Sequence, residues 1–216
     1  MNTSALILLH GEPPPEDLLH YFANRSPHII ATDGAAEYAL ECGLQLNTVI
    51  GDMDSLNSEI RATIASKGIN LITESDQNTT DFEKALEHLI KKEIREVTVL
   101  GLTGKRSDHV LSNLSVMLRY ADQFDSIKAY DIFQVHHFLT AERQWHSFNM
   151  PIGTHVSLTP LPQAQGVTTS GLYYPLRNSQ MNFGEIEGID NIIIEDTASV
   201  QLSRGSLLVS TPYEIG

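Results

Sequence analysis

Two aspartates directly follow a short strand-like run, and their spacing suggests a cation site. The run Asn47–Ile50 is predicted to be a strand, and Asp52 and Asp54 lie in the turn after it. Residues two apart on an extended chain point the same way, so we expect both carboxylates to face one side. Asp81, at the predicted start of a later helix, would complete a set of oxygen ligands. Mg²⁺ takes such ligands when it holds phosphates, so this trio predicts a magnesium site.

A solvated turn is the alternative interpretation of the first two aspartates. Two carboxylates within about 4 Å repel each other by about 4 kcal/mol at an effective dielectric of about 20. Either a divalent cation or exposure to water removes that cost. In the second case Ser55 and Asn57 would simply cap the next helix. These residues alone leave both interpretations open.

The helix predicted from Thr80 to Lys92 could bind a phosphate at its N-terminus. Thr80 and Glu83 have the spacing of a capping box, which by itself explains both residues structurally. The same terminus offers free N–H groups to an anion. Lys84 would either neutralise phosphate charge or lie on the surface as an ordinary lysine.

A glycine-containing loop, Gly101–His109, joins another predicted strand to another helix. It is not a Walker A motif, because only two residues separate Gly101 from Gly104-Lys105 and an arginine follows the lysine. The loop could still bring backbone amides and Arg106 to a phosphate. The alternative is a plain strand-to-helix turn with Asp108 in the first turn of the helix.

Alternating strands and helices over about the first 130 residues predict a parallel sheet covered by helices. After that point β-branched and alternating segments separated by Gly and Pro predict antiparallel strands at residues 133–138, 144–148, 155–159, 166–169, 191–194, 198–202 and 206–209. The predicted fold class is therefore an N-terminal parallel-sheet α/β domain, residues 1–132, followed by a C-terminal all-β sandwich domain, residues 133–216. In such parallel sheets ligands bind beyond the carboxyl ends of the strands. Four polar or glycine-containing turns, including Asp33-Gly34 and Gly51-Asp52, are expected along that edge.

The composition excludes several classes of partner. The chain carries 27 acidic and 14 basic residues, a formal net charge of -13, which argues against a nucleic-acid or anionic-membrane surface. Cys42 is the only cysteine, so no intrachain disulfide can form. No segment approaches the ~20 apolar residues of a membrane span. We therefore expect a cytoplasmic protein.

Taken together in their order and spacing, these motifs resemble the thiamine pyrophosphokinase family over nearly the whole chain. The resemblance rests on six segments of the sequence: Thr32–Ala36, Gly51–Ser55, Asp76–Leu86, Gly101–His109 with Leu111 and Asn113, Ser157–Leu161 and Gly171–Leu176. It implies an enzyme that transfers the diphosphate of ATP to thiamine, giving thiamine diphosphate and AMP. It also implies Mg²⁺, a homodimer, a catalytic first domain and a thiamine-binding, dimer-forming second domain.

The resemblance assigns roles to individual residues. It implies that Asp52, Asp54 and Asp81 are the metal ligands and belong to the catalytic group with Arg106 and Gln77. The implied nucleotide-binding residues are Asp33, Gly34, Thr80, Lys84, Gly104, Lys105 and Asp108.

The sequence departs from the family near the implied thiamine pocket, where Asp190-Asn191 replaces Ser-Asn. We expect both residues to bind the acceptor. Aspartate is larger and charged, which motivates the first of two alternative functions, and the second assumes that the site has drifted. One is a pyrophosphokinase for another hydroxymethyl heterocycle such as a pterin, and the other is a non-catalytic thiamine or nucleotide sensor.

Overall fold

Short apolar strands alternate with helices in the first part of the chain. The structure, a computed structural model, describes residues 4–73 and 78–214. Its contacts divide the chain into two units, one extending to Ile132 and one running from Phe133 to Glu214. The elements of the first unit are β1 (Ser4–Leu8), α1 (Glu16–Ala23), β2 (His28–Thr32), α2 (Asp33–Glu41), β3 (Thr48–Gly51), α3 (Ser58–Ser66), β4 (Asn70–Thr73), α4 (Asp81–Lys91), β5 (Glu96–Leu100), α5 (Ser107–Tyr120), a 3₁₀ helix (Ala121–Gln123) and β6 (Ser126–Tyr130).

The six strands form one parallel sheet in the order β4-β3-β2-β1-β5-β6. β1, β2 and β3 are almost entirely buried, as expected for strands covered by helices on both faces, whereas β4 at the sheet edge is largely exposed. Parallel order brings the carboxyl ends of β1, β2, β3 and β5 to one edge of this sheet. Polar residues at that edge are therefore neighbours in space.

Two helices in this unit begin at side-chain caps that the sequence indicates. Asn57 Oδ1 accepts a hydrogen bond of 2.9 Å from the N–H of Ile60 at the start of α3. Thr80 Oγ1 accepts one of 3.2 Å from the N–H of Glu83 at the start of α4. Each cap satisfies a backbone donor that the helix leaves unpaired, so each fixes where the helix begins.

The second unit consists of antiparallel strands around one apolar core. Its strands are β7 (Val135–Thr140), β8 (Trp145–Phe148), β9 (His155–Ser170), β10 (Ser179–Asn182), β11 (Gly188–Ile192), β12 (Ala198–Gln201) and β13 (Arg204–Thr211). β9 pairs with β10, β11, β12 and β13, β13 also pairs with β7, and β12 with β8. The core includes Phe148, Leu158, Val167 and Leu207. The predicted fold class, parallel α/β followed by an all-β sandwich, is confirmed.

The structure corrects the predicted strands of this unit. Two strands predicted at 155–159 and 166–169 form one strand, β9, which continues through Pro160 and Pro162. A register shift opposite Gly205 and Leu207 provides the irregular pairing that a proline needs. β10 was not predicted. In the described ranges, no helix is long and apolar enough to span a bilayer.

Candidate active site

A cavity of about 700 Å³ lies in the first unit, among the loops at the carboxyl edge of its sheet. Most of the residues predicted for the nucleotide and metal site line it: Asp33, Asp52, Thr80, Asp81, Lys84, Gly104, Lys105, Arg106 and Asp108. Gly34 and Asp54 belong to the same loops but are not among the lining residues. Gln77 lies outside the residues that the structure describes.

Asp33 is the most constrained carboxylate of the cavity. It begins α2, is only 4% exposed, and its Oδ1 accepts a 2.6 Å hydrogen bond from the N–H of Gly34. Its other oxygen, Oδ2, is buried and has no hydrogen-bond partner within the described residues. Burial raises the pKa of Asp33, and the negative charges of Asp81 and Asp52 raise it further. The N–H groups of Gly34 and Ser55 lower it by a smaller amount, the Ser55 group at a geometry too poor for a hydrogen bond. The three carboxylates therefore share one electrostatic environment.

Backbone geometry explains why Asp33 is held there. A Cβ atom added to Gly51 at the end of β3 would lie 2.7 Å from Cγ of Asp33, so only glycine leaves room for the carboxylate. The site thus needs a residue without a side chain beside its most buried acid.

The turn after β3 differs from the extended chain that the sequence analysis assumed. Met53 has a φ of 70° and is 2% exposed, and Asp52 Oδ1 accepts a 3.1 Å hydrogen bond from the N–H of Asp54. This is a tight Asx-type turn, so the two carboxylates do not share a face by strand alternation. Asp52 lines the cavity and Asp54 does not. The expectation that strand spacing aligns the two aspartates was wrong.

The predicted metal trio is not assembled in this structure. Across residues 4–73 and 78–214, no group of three or more His, Cys, Asp or Glu side chains is arranged to hold one metal ion. Two observations nevertheless fit a cation at the acidic side of the cavity. Asp33 Oδ2 is buried without a partner, and the charges of Asp52 and Asp81 oppose ionisation of Asp33. A cation beside these groups would relieve both costs.

The N-terminus of α4 supplies a buried positive charge. Lys84 is 5% exposed, which rules out the interpretation of an ordinary surface lysine. Its Nζ donates a 3.0 Å hydrogen bond to Asp81 Oδ1 one turn earlier. Both side chains line the cavity. This helix therefore presents to the cavity a paired cation and anion together with its first backbone N–H groups.

The glycine loop after β5 forms the basic side of the cavity. Gly104 has a φ of 84°, and an added Cβ would lie 2.4 Å from Cβ of Glu12. Arg106 is bound to Asp108 through two hydrogen bonds, with both side chains mostly exposed. The hydrogen bond from Arg106 lowers the pKa of Asp108 to about 2, so this aspartate is ionised at neutral pH. Asp108 thereby orients the guanidinium group at the rim.

The loop after β1 also lines the cavity, although the sequence motifs did not indicate it. Three backbone hydrogen bonds of 2.8 to 2.9 Å join residues 9–12 to residues 100–103, and His10 and Gly11 line the cavity. The available signal was weak: a buried strand, Ala5–Leu9, followed by a polar His-Gly pair. A sheet order with β1 beside β5 was needed to bring this pair to the cavity.

In the second unit, Asp190 and Asn191 have different environments. Asp190 is exposed, has a φ of 58°, and its Oδ1 lies 2.7 Å from Nδ1 of His155. Asn191 is 2% exposed, and its side chain makes three hydrogen bonds of 2.8 to 3.0 Å to the backbone of Tyr174 and Ile192. Asn191 therefore anchors the loop that carries Tyr174. A direct contact of either residue with an acceptor stays a prediction.

Both units match models of one protein family. A model described as "Thiamin pyrophosphokinase, catalytic domain" matches residues 19–130, and one described as "Thiamin pyrophosphokinase, vitamin B1 binding domain" matches residues 141–207. The chain belongs to the thiamin pyrophosphokinase family. The resemblance found in the sequence motifs is thereby confirmed.

Individual relatives of this chain carry the name of the same family. Thiamine pyrophosphokinase 1 of Arabidopsis thaliana is 30% identical over 164 residues, which are 72% of this chain and 61% of the plant protein. The chain thus matches less than two thirds of that relative's length. Thiamin pyrophosphokinase 1 of Caenorhabditis elegans is 25% identical over 218 residues, covering 95% of this chain and 87% of the worm protein.

Solved structures support the fold of this family member. The thiamine pyrophosphokinase of Bacillus subtilis superimposes with a TM-score of 0.82 at 20% identity, covering 98% of this chain and 99% of that one. The Candida albicans enzyme gives a TM-score of 0.78 at 16% identity, covering 98% and 90% of the two chains. At such identities the likeness establishes the fold alone.

Proposed function

We propose that this chain is an ATP-dependent thiamine pyrophosphokinase. The observation that carries the proposal is the set of side chains that line the cavity, which lies within the residues matched by the catalytic-domain model. One side has Asp52, Asp81 and Lys84. The other side has a glycine loop with Lys105 and Arg106. Such a lining suits a metal-bound polyphosphate, because carboxylates bind the metal ion and positively charged side chains bind the phosphates. The match of the second unit to a vitamin B1 binding domain supports thiamine as the acceptor.

The reaction is a diphosphoryl transfer. The hydroxyl oxygen of thiamine forms a bond to the β-phosphorus of ATP. The bond from that phosphorus to the oxygen that bridges the α- and β-phosphates breaks, and AMP leaves with this oxygen. The hydroxyl proton passes to solvent or to a general base, a role to which no residue is assigned. Mg²⁺, which Asp52 and Asp81 would hold with Asp54 beside them, would supply charge neutralisation for the phosphates. Most of the rate enhancement then comes from positioning and electrostatic stabilisation rather than from covalent chemistry.

The residues of the chain divide this work. The first N–H groups of α4, begun by Thr80, bind a phosphate oxygen. Lys84 stays buried beside Asp81 and provides a fixed positive charge. Gly104 allows backbone amides to approach the phosphates, and Arg106 stabilises the charge that develops as AMP leaves. Asp33 contacts the nucleotide, and Gly34, predicted as a nucleotide-binding residue, supports it from behind the cavity lining by donating its N–H to the Asp33 carboxylate. Asp108 holds Arg106 in position.

The second unit would hold the acceptor through Asp190 and the loop anchored by Asn191. We propose that residues 1–132 are the catalytic domain and residues 133–216 the thiamine-binding and dimerisation domain. The homodimer and the cytoplasmic location stay predictions of the sequence. Neither alternative, a pterin acceptor or a non-catalytic sensor, is favoured by an observation on this chain.

An acceptor comparison tests the proposal. The protein is incubated with ATP and Mg²⁺ and with either thiamine or a hydroxymethyl pterin, and AMP and the diphosphate product are quantified by mass spectrometry. We expect AMP and thiamine diphosphate in equal amounts and no pterin product. AMP formation only with the pterin would refute thiamine as acceptor, and nucleotide binding without AMP would favour the sensor.

Lys84→Met tests the assignment of the cavity in the same assay. Methionine keeps most of the buried aliphatic stem and removes the charge, so we expect AMP formation to fall about 100-fold. Lys91→Met is the matched control, because Lys91 is exposed at the other end of α4. Equal activity of the two variants would show that the cavity is not where the phosphates bind.

A further inference from the structure

His10 projects into the cavity from the loop that sequence reasoning missed. It follows β1, which lies between β2 and β5 in the sheet, and it is one of the cavity-lining residues. The loop is held on one side by the backbone hydrogen bonds between residues 9–12 and 100–103. The Tyr38 hydroxyl donates to the carbonyl oxygen of Leu9 at 3.4 Å. The backbone at His10 is therefore anchored from two directions.

The imidazole ring is also positioned. A Cβ atom added to Gly34 would lie 2.3 Å from Nδ1 of His10, so the ring occupies the space that a side chain at position 34 would take. This gives Gly34 a structural reason to be glycine although it does not line the cavity. Within the described residues, neither ring nitrogen of His10 has a hydrogen-bond partner. Since the side chain is exposed toward the cavity, its nitrogens can take a ligand.

Burial and the neighbouring charges both favour the neutral imidazole of His10. Burial lowers the pKa of His10, and the positive charges of Lys105 and His109 lower it further. Asp33 opposes this effect by raising the pKa. Glu12, whose Cβ lies beside Gly104, is an acidic residue of the loop that carries His10, whereas Asp33 belongs to α2. A polyphosphate between these groups would reverse the balance, because added negative charge stabilises the imidazolium.

We propose that His10 is a further phosphate-binding residue of the nucleotide site and that it takes up one proton from solvent when a nucleoside triphosphate binds. The proposal rests on the proposed function, because it requires the triphosphate to occupy this cavity. In the bound state His10 joins Lys105 and Arg106 as a third cation on the phosphates. Binding should therefore strengthen as the pH falls through the range in which His10 of the free protein is neutral.

Titration calorimetry measures this proton directly. The full-length protein is titrated with Mg²⁺ and the α,β-methylene analogue of ATP, in which the bond that releases AMP cannot break. Titrations in buffers with different ionisation enthalpies give the number of protons taken up per nucleotide bound. We expect an uptake approaching one proton near neutral pH. The affinity should rise by at most about tenfold per unit fall in pH.

Substitutions assign the proton to its acceptor. His10→Asn keeps a polar side chain at the position but cannot titrate, so the proton uptake assigned to His10 should disappear and the pH dependence of the affinity should weaken accordingly. His10→Gln serves as a second variant if the first fails to fold. His109→Asn should retain the uptake, since we assign the proton to His10. His28→Asn is the matched control, because His28 lies at the first residue of β2, at the end of the strand away from the cavity.

Each outcome separates this proposal from the proposed function. Nucleotide binding with the same proton uptake in the wild type and in His10→Asn would overturn the role of His10 and leave the nucleotide site standing. Loss of the uptake in His109→Asn with retention in His10→Asn would also overturn it. If the wild-type protein binds no nucleotide, the proposed function fails and the role of His10 fails with it.

Discussion

Replacing Asp33 with asparagine should stabilise the first unit while it impairs nucleotide turnover. Asp33 is 4% exposed, and its Oδ2 has no hydrogen-bond partner within the described residues. Asparagine has nearly the same shape, and its Oδ1 can keep the hydrogen bond from Gly34. The substitution therefore removes the charge without opening a cavity beside Gly51. Natural sites often retain such costs because function needs the group.

The expected gain in stability of Asp33→Asn follows from the burial of the carboxylate and its unpartnered oxygen. An unsatisfied buried polar group costs about 1–3 kcal/mol. Because the asparagine amide inherits the same unpartnered position, only the part of the cost due to charge is removed. We expect about 1 kcal/mol, at the low end of that range, which corresponds to a rise in Tm of about 2–4 °C for a chain of this size.

The pH dependence of the Asp33 effect has a definite sign. The folded-state pKa of Asp33 is raised, so the protonated form contributes stability that is present below the unfolded-state pKa of about 3.9 and is lost as the pH rises through the folded-state value. The variant should therefore exceed the wild type in Tm most clearly at neutral pH. The difference should vanish below about pH 4.

Thermal unfolding followed by circular dichroism across this pH range is the assay. Asp17→Asn is the control, because Asp17 is an exposed aspartate in α1 of the same unit. A lower Tm for Asp33→Asn than for the wild type at neutral pH would show that the charge of Asp33 does not destabilise the fold. So would a gain that is equally large at acidic pH, because it could not then come from the charge.

Three further predictions concern other contacts. Arg119→Ala removes the cation bound to Glu83, whose side chain is 8% exposed, and should lower the free energy of unfolding in urea by about 1–3 kcal/mol; an unchanged midpoint would contradict this. Asn191→Ala removes three hydrogen bonds to backbone groups and should cost about 2–3 kcal/mol in the same assay, while a cost near zero would exclude the anchoring role. Gly104→Ala should weaken nucleotide binding at least about tenfold in calorimetry, because its Cβ meets atoms 2.4 Å away. Gly184→Ala shares the positive φ but meets open space, so an equal effect there would exclude the steric explanation.

The parts of the site that depend on local patterns could be predicted from the sequence. Thr80 and Glu83 mark the start of α4 because the cap is an interaction between residues three apart. The ends of β2, β3 and β5 could be predicted in the same way, since each strand is a short apolar run that a polar or glycine turn interrupts. Parallel order then brings Asp33, Asp52 and the glycine loop to one edge.

The parts that depend on long-range contacts could not be predicted. His10 belongs to the cavity only because residues 9–12 bond to residues 100–103, about ninety positions away in the chain. The orientation of Asp54 depends on the positive φ of Met53, and alternation along a strand cannot anticipate such a turn. Lys84 is buried because other elements cover α4, whereas lysine alone predicts exposure.

The proposed reaction transfers a diphosphoryl group from ATP to thiamine, so the fate of the β-phosphate distinguishes it from every other phosphoryl transfer. The protein is supplied with thiamine, Mg²⁺ and ATP that is radiolabelled only in its β-phosphate, and the products are separated by chromatography. We expect labelled thiamine diphosphate and unlabelled AMP. Label retained in ADP beside thiamine monophosphate, or label that never leaves ATP, would contradict it.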